Sequence, residues 1–245
     1  MTSAIRSYGL LFKWQVLRFR TELPMIVVIQ CALALGIVYG MAFLIPNIDP
    51  QTAAYLATGA PTMSLLIMGL NIVQQETTAG RLTGRFDYLS SLPIPRLATL
   101  AADVTFWLLA QLPGTVLAIF LARLRFGFSL DVSPLVVPAI ALVAFAGASV
   151  GYAMAKLIQP QIANQLASFV SIGILLFSPV NFPVDRLPGP MQVVHQFLPV
   201  KHMADLVRWS LTGRYVSSVG VAFAVVAAWC AAGLYGSYRA ATKLR

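Results

Sequence analysis

The stretch FSPVNFPVDRLPGPMQVVHQFLPVKHMADLVRWSLTG, Phe177–Gly213, decides how the rest of the chain is read. It separates the last two strongly apolar segments. It is too polar and too proline-broken for a membrane span, yet too apolar for an ordinary surface loop. Pro179, Pro183, Pro188, Pro190 and Pro199 cut it into short pieces, since proline interrupts the helical hydrogen-bond ladder and restrains the residue before it. Two pieces read as short amphipathic helices. In the first, Met191, Val194 and Phe197 recur at helical spacing, with Gln192, His195 and Gln196 elsewhere on the surface. In the second, Met203, Leu206, Val207 and Leu211 share one face, and Lys201, Asp205 and Arg208 another. Neither piece is long enough to cross a hydrocarbon core of ~30 Å. The pattern fits a broken helical hairpin dipping part-way into one leaflet, and equally an amphipathic loop lying flat on the membrane.

Working outward, composition sets the solvent. Of 245 residues, 58% are hydrophobic and only 10% are charged, and the mean hydropathy is +0.79. Soluble domains carry roughly 25% charged residues. Apolar residues come in long blocks rather than alternating short segments, which points to a polytopic helical membrane protein and away from a β-barrel. The net charge of +9 has no dense basic run behind it. It reads as the Lys/Arg excess of cytoplasmic loops, and nucleic acid is not an expected partner. Cys31 and Cys230 both lie in apolar blocks and read as small buried hydrophobes. Arg6, Lys13, Arg18 and Arg20 interrupt the N-terminal region, which does not read as a cleavable signal peptide.

Residues 4–20 form a candidate amphipathic interfacial helix. Ile5, Tyr8, Phe12, Val16 and Phe19 cluster on one side, and Arg6, Lys13 and Arg20 repeat every seven residues on another; Leu10 and Leu17 blur the pattern. Such a helix is expected in the headgroup plane, held by membrane lipid. Six spans follow at 24–45, 52–73, 97–121, 132–157, 162–177 and 216–238, forming one domain over 1–245, with 177–213 between the last two spans. With the N-terminus inside, Arg6, Lys13, Arg18, Arg20, Arg81, Arg85, Arg96, Lys156, Arg239, Lys243 and Arg245 are cytoplasmic. Arg123, Arg125, Arg186, Lys201, Arg208 and Arg214 are outside, eleven against six. Both termini are then cytoplasmic, as expected for a multi-pass protein of a plasma membrane.

Little of the chain suggests chemistry. None of the four lysines follows a glycine, so no P-loop is present and ATP hydrolysis by that route is excluded. GASVG, Gly147–Gly151, loosely resembles a serine nucleophile motif, but its base would have to be His195 or His202 in the external stretch. Close helix packing through small residues explains it better. Asp103 is the ionisable group placed deepest in a span, with a structural or interfacial role favoured over transport. Gln30, Asn71, Gln111, Asn164 and Gln165 are candidate inter-helix hydrogen-bonders, and Phe106–Trp107 is the only adjacent aromatic pair inside a span. Gln30, Asn71, Asp103, Phe106 and Trp107 are the candidate pathway residues. The inside loop Gln74–Arg96 carries Glu76, Gly80, Arg81, Arg85, Phe86, Asp87 and Tyr88 ahead of the break Pro93-Ile94-Pro95. Apolar knobs beside charged handles on a short helix, Arg81–Leu92, suit a docking element.

Two stretches carry a family resemblance. Gln75-Glu76, Gly80-Arg81-Leu82 and Leu92-Pro93-Ile94-Pro95-Arg96 form the first. Phe182-Pro183-Val184-Asp185, Leu187-Pro188, Leu198-Pro199, Asp205-Leu206-Val207-Arg208 and Gly213 form the second. Together they resemble the permease subunits of ABC-2 type exporters, including the daunorubicin-type drug exporters, over nearly the whole chain. The resemblance implies a permease dimer, of two identical or two related chains, with two copies of a separate cytoplasmic ABC ATPase that bind ATP and Mg. No cofactor is implied in this chain. It implies that residues 4–20 and the inside loop contact the ATPase, the loop carrying a coupling helix. It implies two re-entrant half-helices between spans five and six, involving Phe182, Pro183, Asp185, Pro188, Pro199, Asp205 and Arg208. Their Lys201–Asp205–Arg208 face is expected to look toward water or headgroups. Cargo, hydrophobic or amphipathic, is expected along the dimer interface, lined largely by spans one, two and five. A drug or antibiotic leads, with a lipid or lipid-linked glycan next. A non-transporting membrane scaffold and an intramembrane serine hydrolase are the rival readings.

Overall fold

The computed structural model describes residues 2–40, 43, 49–92, 94–127, 131–214, 216 and 218–243. Among them every regular element is helical. Helix α1, Thr2–Phe19, leads through a short turn into α2, Leu23–Leu35, which continues as a π-helical turn over Gly36–Gly40. Asp49 caps α3, Pro50–Ile67, its side chain accepting from Thr52 N, and Pro50 occupies the first turn, where its missing N–H does no harm. A π-helical turn over Met68–Val73 joins α3 to α4, Gln74–Leu82, without a break. The left-handed Gly84 (φ 69°) then turns the chain into α5, Arg85–Ser91. Helices α6, Arg96–Phe126, α7, Val136–Leu157, and α8, Pro160–Phe177, follow. A 3₁₀ turn at Val184–Arg186, α9, Gly189–Phe197, α10, Pro199–Thr212, and α11, Val219–Lys243, complete the order.

Among the described residues, five helices are long and apolar enough to cross a membrane: Leu23–Gly40, Gln51–Leu82, Ala101–Phe126, Val136–Leu157 and Pro160–Phe177; within α11 the apolar part is the shorter Val219–Gly233. The second differs most from expectation. The polar residues after Val73, expected to open a loop, continue the helix to Leu82 instead. They satisfy one another on it: Gln74 Nε2 donates to Thr78 Oγ1 at 3.0 Å and Thr77 Oγ1 to Val73 O at 2.7 Å. A helix of 32 residues is about 48 Å long, well beyond the hydrocarbon core. The fourth span starts later than expected. Residues before it run extended, with Asp131 N and Ser133 N donating to Leu211 O and Ser210 O at 3.0 and 2.9 Å, so they cap α10 rather than begin α7.

Two packing rules hold the bundle. Small residues bring α7 against the π-helical turn: a Cβ on Gly151 would stand 2.1 Å from Gly69 O, and one on Gly69 2.4 Å from Gly147 C. This is the use GASVG has, with Ser149 Oγ donating to Ala146 O at 2.9 Å and packing against Gly233. The second is a seam in which α1 and α2 run parallel to α6. Leu11 clusters with Ala98 and Ala102, and Phe19 with Phe106 and Trp107. Ile26 shares the Phe106–Ala110 cluster, and Ala34 lies in the main core with Ala118.

Candidate functional site

At the end of the bundle carrying α4 and α5, four helices meet through polar contacts. Arg18 of α1 pairs with Glu76 of α4 at 2.9 Å. Gln15, buried on the inner face of α1, donates through Nε2 to Asp103 of α6. Arg81 Nη1 donates to Ala155 O and, at 3.1 Å, to Ile158 O. These are carbonyls at the end of α7, which have no partner within their own helix. Arg85 folds back over Gly80, whose added Cβ would stand 2.8 Å from the guanidinium. Burial pulls the Arg85 guanidinium below its ordinary value, against the pull of Asp103. Both arginines, expected as outward handles of a docking helix, are therefore turned into the chain. Beside the small polar Thr83 and Ser91, the corner exposes two large apolar side chains, Leu82 at 71% and Tyr88 at 66%. The side chains of Phe86 and Asp87 lie outside the described residues. Arg6, Lys13 and Arg20 are exposed along α1, with Leu10 and Leu17, which blurred the sequence pattern, exposed beside them.

At the other end of α3, a cation is buried. Arg208 of α10 is fully enclosed, donates to Asp205 Oδ1 and Val180 O, each at 2.8 Å, and lies 3.8 Å from the centroid of the Tyr55 ring. The expectation that this face meets water fails for Arg208. Helix α10 is buried on nearly every side, Val200, Met203, Ala204, Leu206, Val207 and Leu211 included, because α3, α7 and α11 surround it. Burial pushes the Asp205 carboxyl up, with Arg208, Lys201 and His202 opposing, and holds the Arg208 guanidinium down. Asn181 is buried against Gly59, where a Cβ would meet its Oδ1 at 2.1 Å. Arg186 Nη2 reaches Thr52 Oγ1 at 3.3 Å. Phe182 is partly buried and Pro183 buried, whereas Asp185 and Pro188 are exposed; Pro199 is buried at the start of α10. Helix α9 exposes its apolar residues together with Gln196 and turns in a polar one. His195 is buried, its Nε2 3.1 Å from Phe177 O, while Val193, Val194 and Phe197 are exposed.

Between the two ends lie the candidate pathway residues. Asn71 Nδ2 donates to Ile67 O at 3.1 Å and Ser171 Oγ at 2.6 Å, on the floor of a groove between α3 and α8 that Ser168, Ile172 and Leu175 complete. Gln30 is buried between α2 and α6. Phe106 and Trp107 are buried too, the first stacked on Phe19 with centroids 5.1 Å apart and the second edge-on to it at 5.2 Å, so in this conformation they fasten α1 rather than line an open path. Sequence reasoning missed Gln15, Tyr55 and Asn181. Gln15 had a signal: with Leu11 and Phe19 it makes a four-residue repeat on one helix face.

A helix of some 32 residues thus carries both polar clusters, with Tyr55 and Glu76 about 32 Å apart along its axis. No curated protein matches the chain well enough to be named as a relative. A family model described as ABC-2 type transporter matches residues 7–212, and the family's members normally work with a cytoplasmic ABC ATPase. Helices of membrane-spanning length and this match over most of the sequence agree: the chain belongs to the ABC-2 type transporter family, as the transmembrane permease component and not the ATPase.

Proposed function

We propose that this permease is the membrane half of an ATP-driven exporter, moving a hydrophobic or amphipathic cargo out of a bacterial cell. A drug or antibiotic is the leading class, and a lipid or lipid-linked glycan the next. Two permeases, identical or related, work with two ATPase subunits that bind ATP and Mg. Six spans, the sixth being α11, put both termini and the α4–α5 corner in the cytoplasm, and α9 and α10 at the outer face. The apolar outer surface of α9, with His195 turned inward, supports a re-entrant hairpin there, since lipid accepts Phe197 and rejects an unpaired imidazole.

The observation that carries the docking assignment is the exposed pair Leu82 and Tyr88 at the corner of α4 and α5. A large aromatic and an aliphatic exposed at one corner, while Arg81 and Arg85 are turned into the chain, have the composition of an interface anchor. Because α4 continues into α3, a push on that corner reaches the helix that carries Tyr55 and Thr52. The test is co-purification of the full permease with its cognate ATPase after Leu82→Asp and Tyr88→Asp. ATPase binding should be lost while the variants keep the wild-type melting temperature. Variants that still bind and stimulate the ATPase would sink the assignment.

A further inference from the structure

Helix α6 loses one backbone rung at Pro113, and a side chain from α2 bonds both groups of the next rung. Pro113 removes the donor that Leu109 O would otherwise receive. One residue on, an unbroken helix would pair Gly114 N with Ala110 O. The carboxamide of Gln30 stands on both groups: Nε2 donates to Ala110 O at 2.9 Å, and Gly114 N donates to Oε1 at 3.0 Å. Gly114 leaves room for this, because a Cβ there would stand 2.3 Å from Oε1 and 2.5 Å from Gln30 Cβ. A side chain set into the ladder is one of the few causes that bend a helix. Helix α2 itself departs from α-helical spacing six residues further on, at Gly36–Gly40.

We propose that Gln30 is a positioning residue of the transport cycle, holding α6 open at Gly114 in this conformation. When α2 shifts along the seam, the amide withdraws and Ala110 O and Gly114 N pair with each other. Two side-chain hydrogen bonds are exchanged for one backbone bond. In a buried, membrane-depth site an amide half-way between partners satisfies neither itself nor the backbone, so intermediate positions are disfavoured. The exchange therefore has two states, and displacement of α2 and closure of α6 occur as one event. No charge moves, so the step is insensitive to pH and salt. This rests on the reading of the chain as an ATP-driven transport subunit.

The experiment uses the full permease with its cognate ATPase in nanodiscs, with Cys31 and Cys230 replaced by serine. Spin labels go on cysteines placed at the exposed positions Met25 of α2 and Leu124 of α6. Distance distributions are measured without nucleotide and after trapping with ATP and vanadate. The Gln30-containing protein should shift its distribution on trapping. Gln30→Leu, which leaves the backbone pair closed in every state, should lose the shift while ATPase binding and ATP hydrolysis remain. A full shift in Gln30→Leu overturns the inference and leaves the transport reading standing. A Gln30-containing permease that neither binds the ATPase nor shifts overturns the transport reading and this inference with it. Should Gln30→Leu fail to fold, thermal melts of Gly114→Ala and of Gln30→Ala/Gly114→Ala decide. The double variant should melt higher than Gly114→Ala alone, because its Cβ then has space; no recovery overturns the wedge.

Discussion

Replacing Arg208 with leucine removes a cation enclosed at the α10 end of the bundle. Its guanidinium makes two hydrogen bonds at 2.8 Å and lies on the Tyr55 ring at 3.8 Å, and its side chain is 1% exposed. Asp205 stays behind with a side chain only 16% exposed and no other acid-base partner at bonding distance among the described residues. Removing one member of a buried pair typically costs about 3–5 kcal/mol, most of it from the charge left unpaired. The lost cation–π contact lies within that range rather than on top of it, since leucine recovers part of the burial. For a chain of this size such a loss lowers the melting temperature by about 10 °C. The assay is a fluorescence-detected melt of the detergent-solubilised permease at one fixed scan rate, because membrane proteins often unfold irreversibly. Arg208→Leu/Asp205→Leu should melt higher than Arg208→Leu, since an apolar pair no longer buries a lone carboxylate. A single variant within about 2 °C of wild type, given the expected scale, would refute the buried clamp. So would a double variant less stable than the single.

Two further outcomes follow from the packing and the charge. Gly151→Ala forces a Cβ to within 2.1 Å of Gly69 O, whereas Gly173→Ala meets nothing within 4 Å. The first should lose about 1–3 kcal/mol and the second almost nothing in the same melts; equal effects would contradict the close approach of α7 to the π-helical turn. The raised Asp205 pKa gives a pH dependence of definite sign. The folded chain holds this proton at higher pH than the unfolded chain, whose ordinary value is 3.8. The contribution is fully present below that value and is lost as pH rises through the folded pKa. Wild type should therefore gain stability relative to Asp205→Asn as pH falls from neutral toward the ordinary carboxylate range, and a flat difference would contradict it.

The apolar blocks were legible because length and composition alone mark a helix that must satisfy its backbone internally. The prolines in the first turns of α2, α3 and α8 stand where a missing N–H costs nothing, which places the last two helix starts slightly earlier than the spans expected at 52 and 162. The small-residue run Gly147–Gly151 was correctly read as packing. What composition hid was the continuation of the second span through Gln74–Leu82. Polarity reads as loop there, yet Gln74, Thr77 and Thr78 bond within their own helix. Within the stretch read as a docking loop, Arg81 and Arg85 could not be seen to turn inward. For Arg81 that depends on the carbonyl end of α7 lying beside it, a contact about 75 residues away in the chain; for Arg85 it depends on the turn at Gly84 that folds it back over Gly80.

The same limit governs the stretch between α8 and α11, and there it has a physical form. Periodicity finds a helix and groups its residues into faces; it carries no sign. In water the polar face is outside, and that sign was assigned to the Lys201–Asp205–Arg208 face of the second short helix. Around α9 the sign is inverted, with His195 8% exposed and Phe197 73%. In α10 little is outside, and Arg208 is satisfied by Asp205, a carbonyl and an aromatic ring instead of by solvent. Both departures have one cause. Where lipid or protein replaces water, a polar group must find its partner inside the chain, and apolar side chains are the ones that can face out. The buried arginine thus shows how fully α3, α7 and α11 close around α10, because a helix lying on the surface would have left Arg208 in reach of water and would need neither Tyr55 nor Val180 O to hold it.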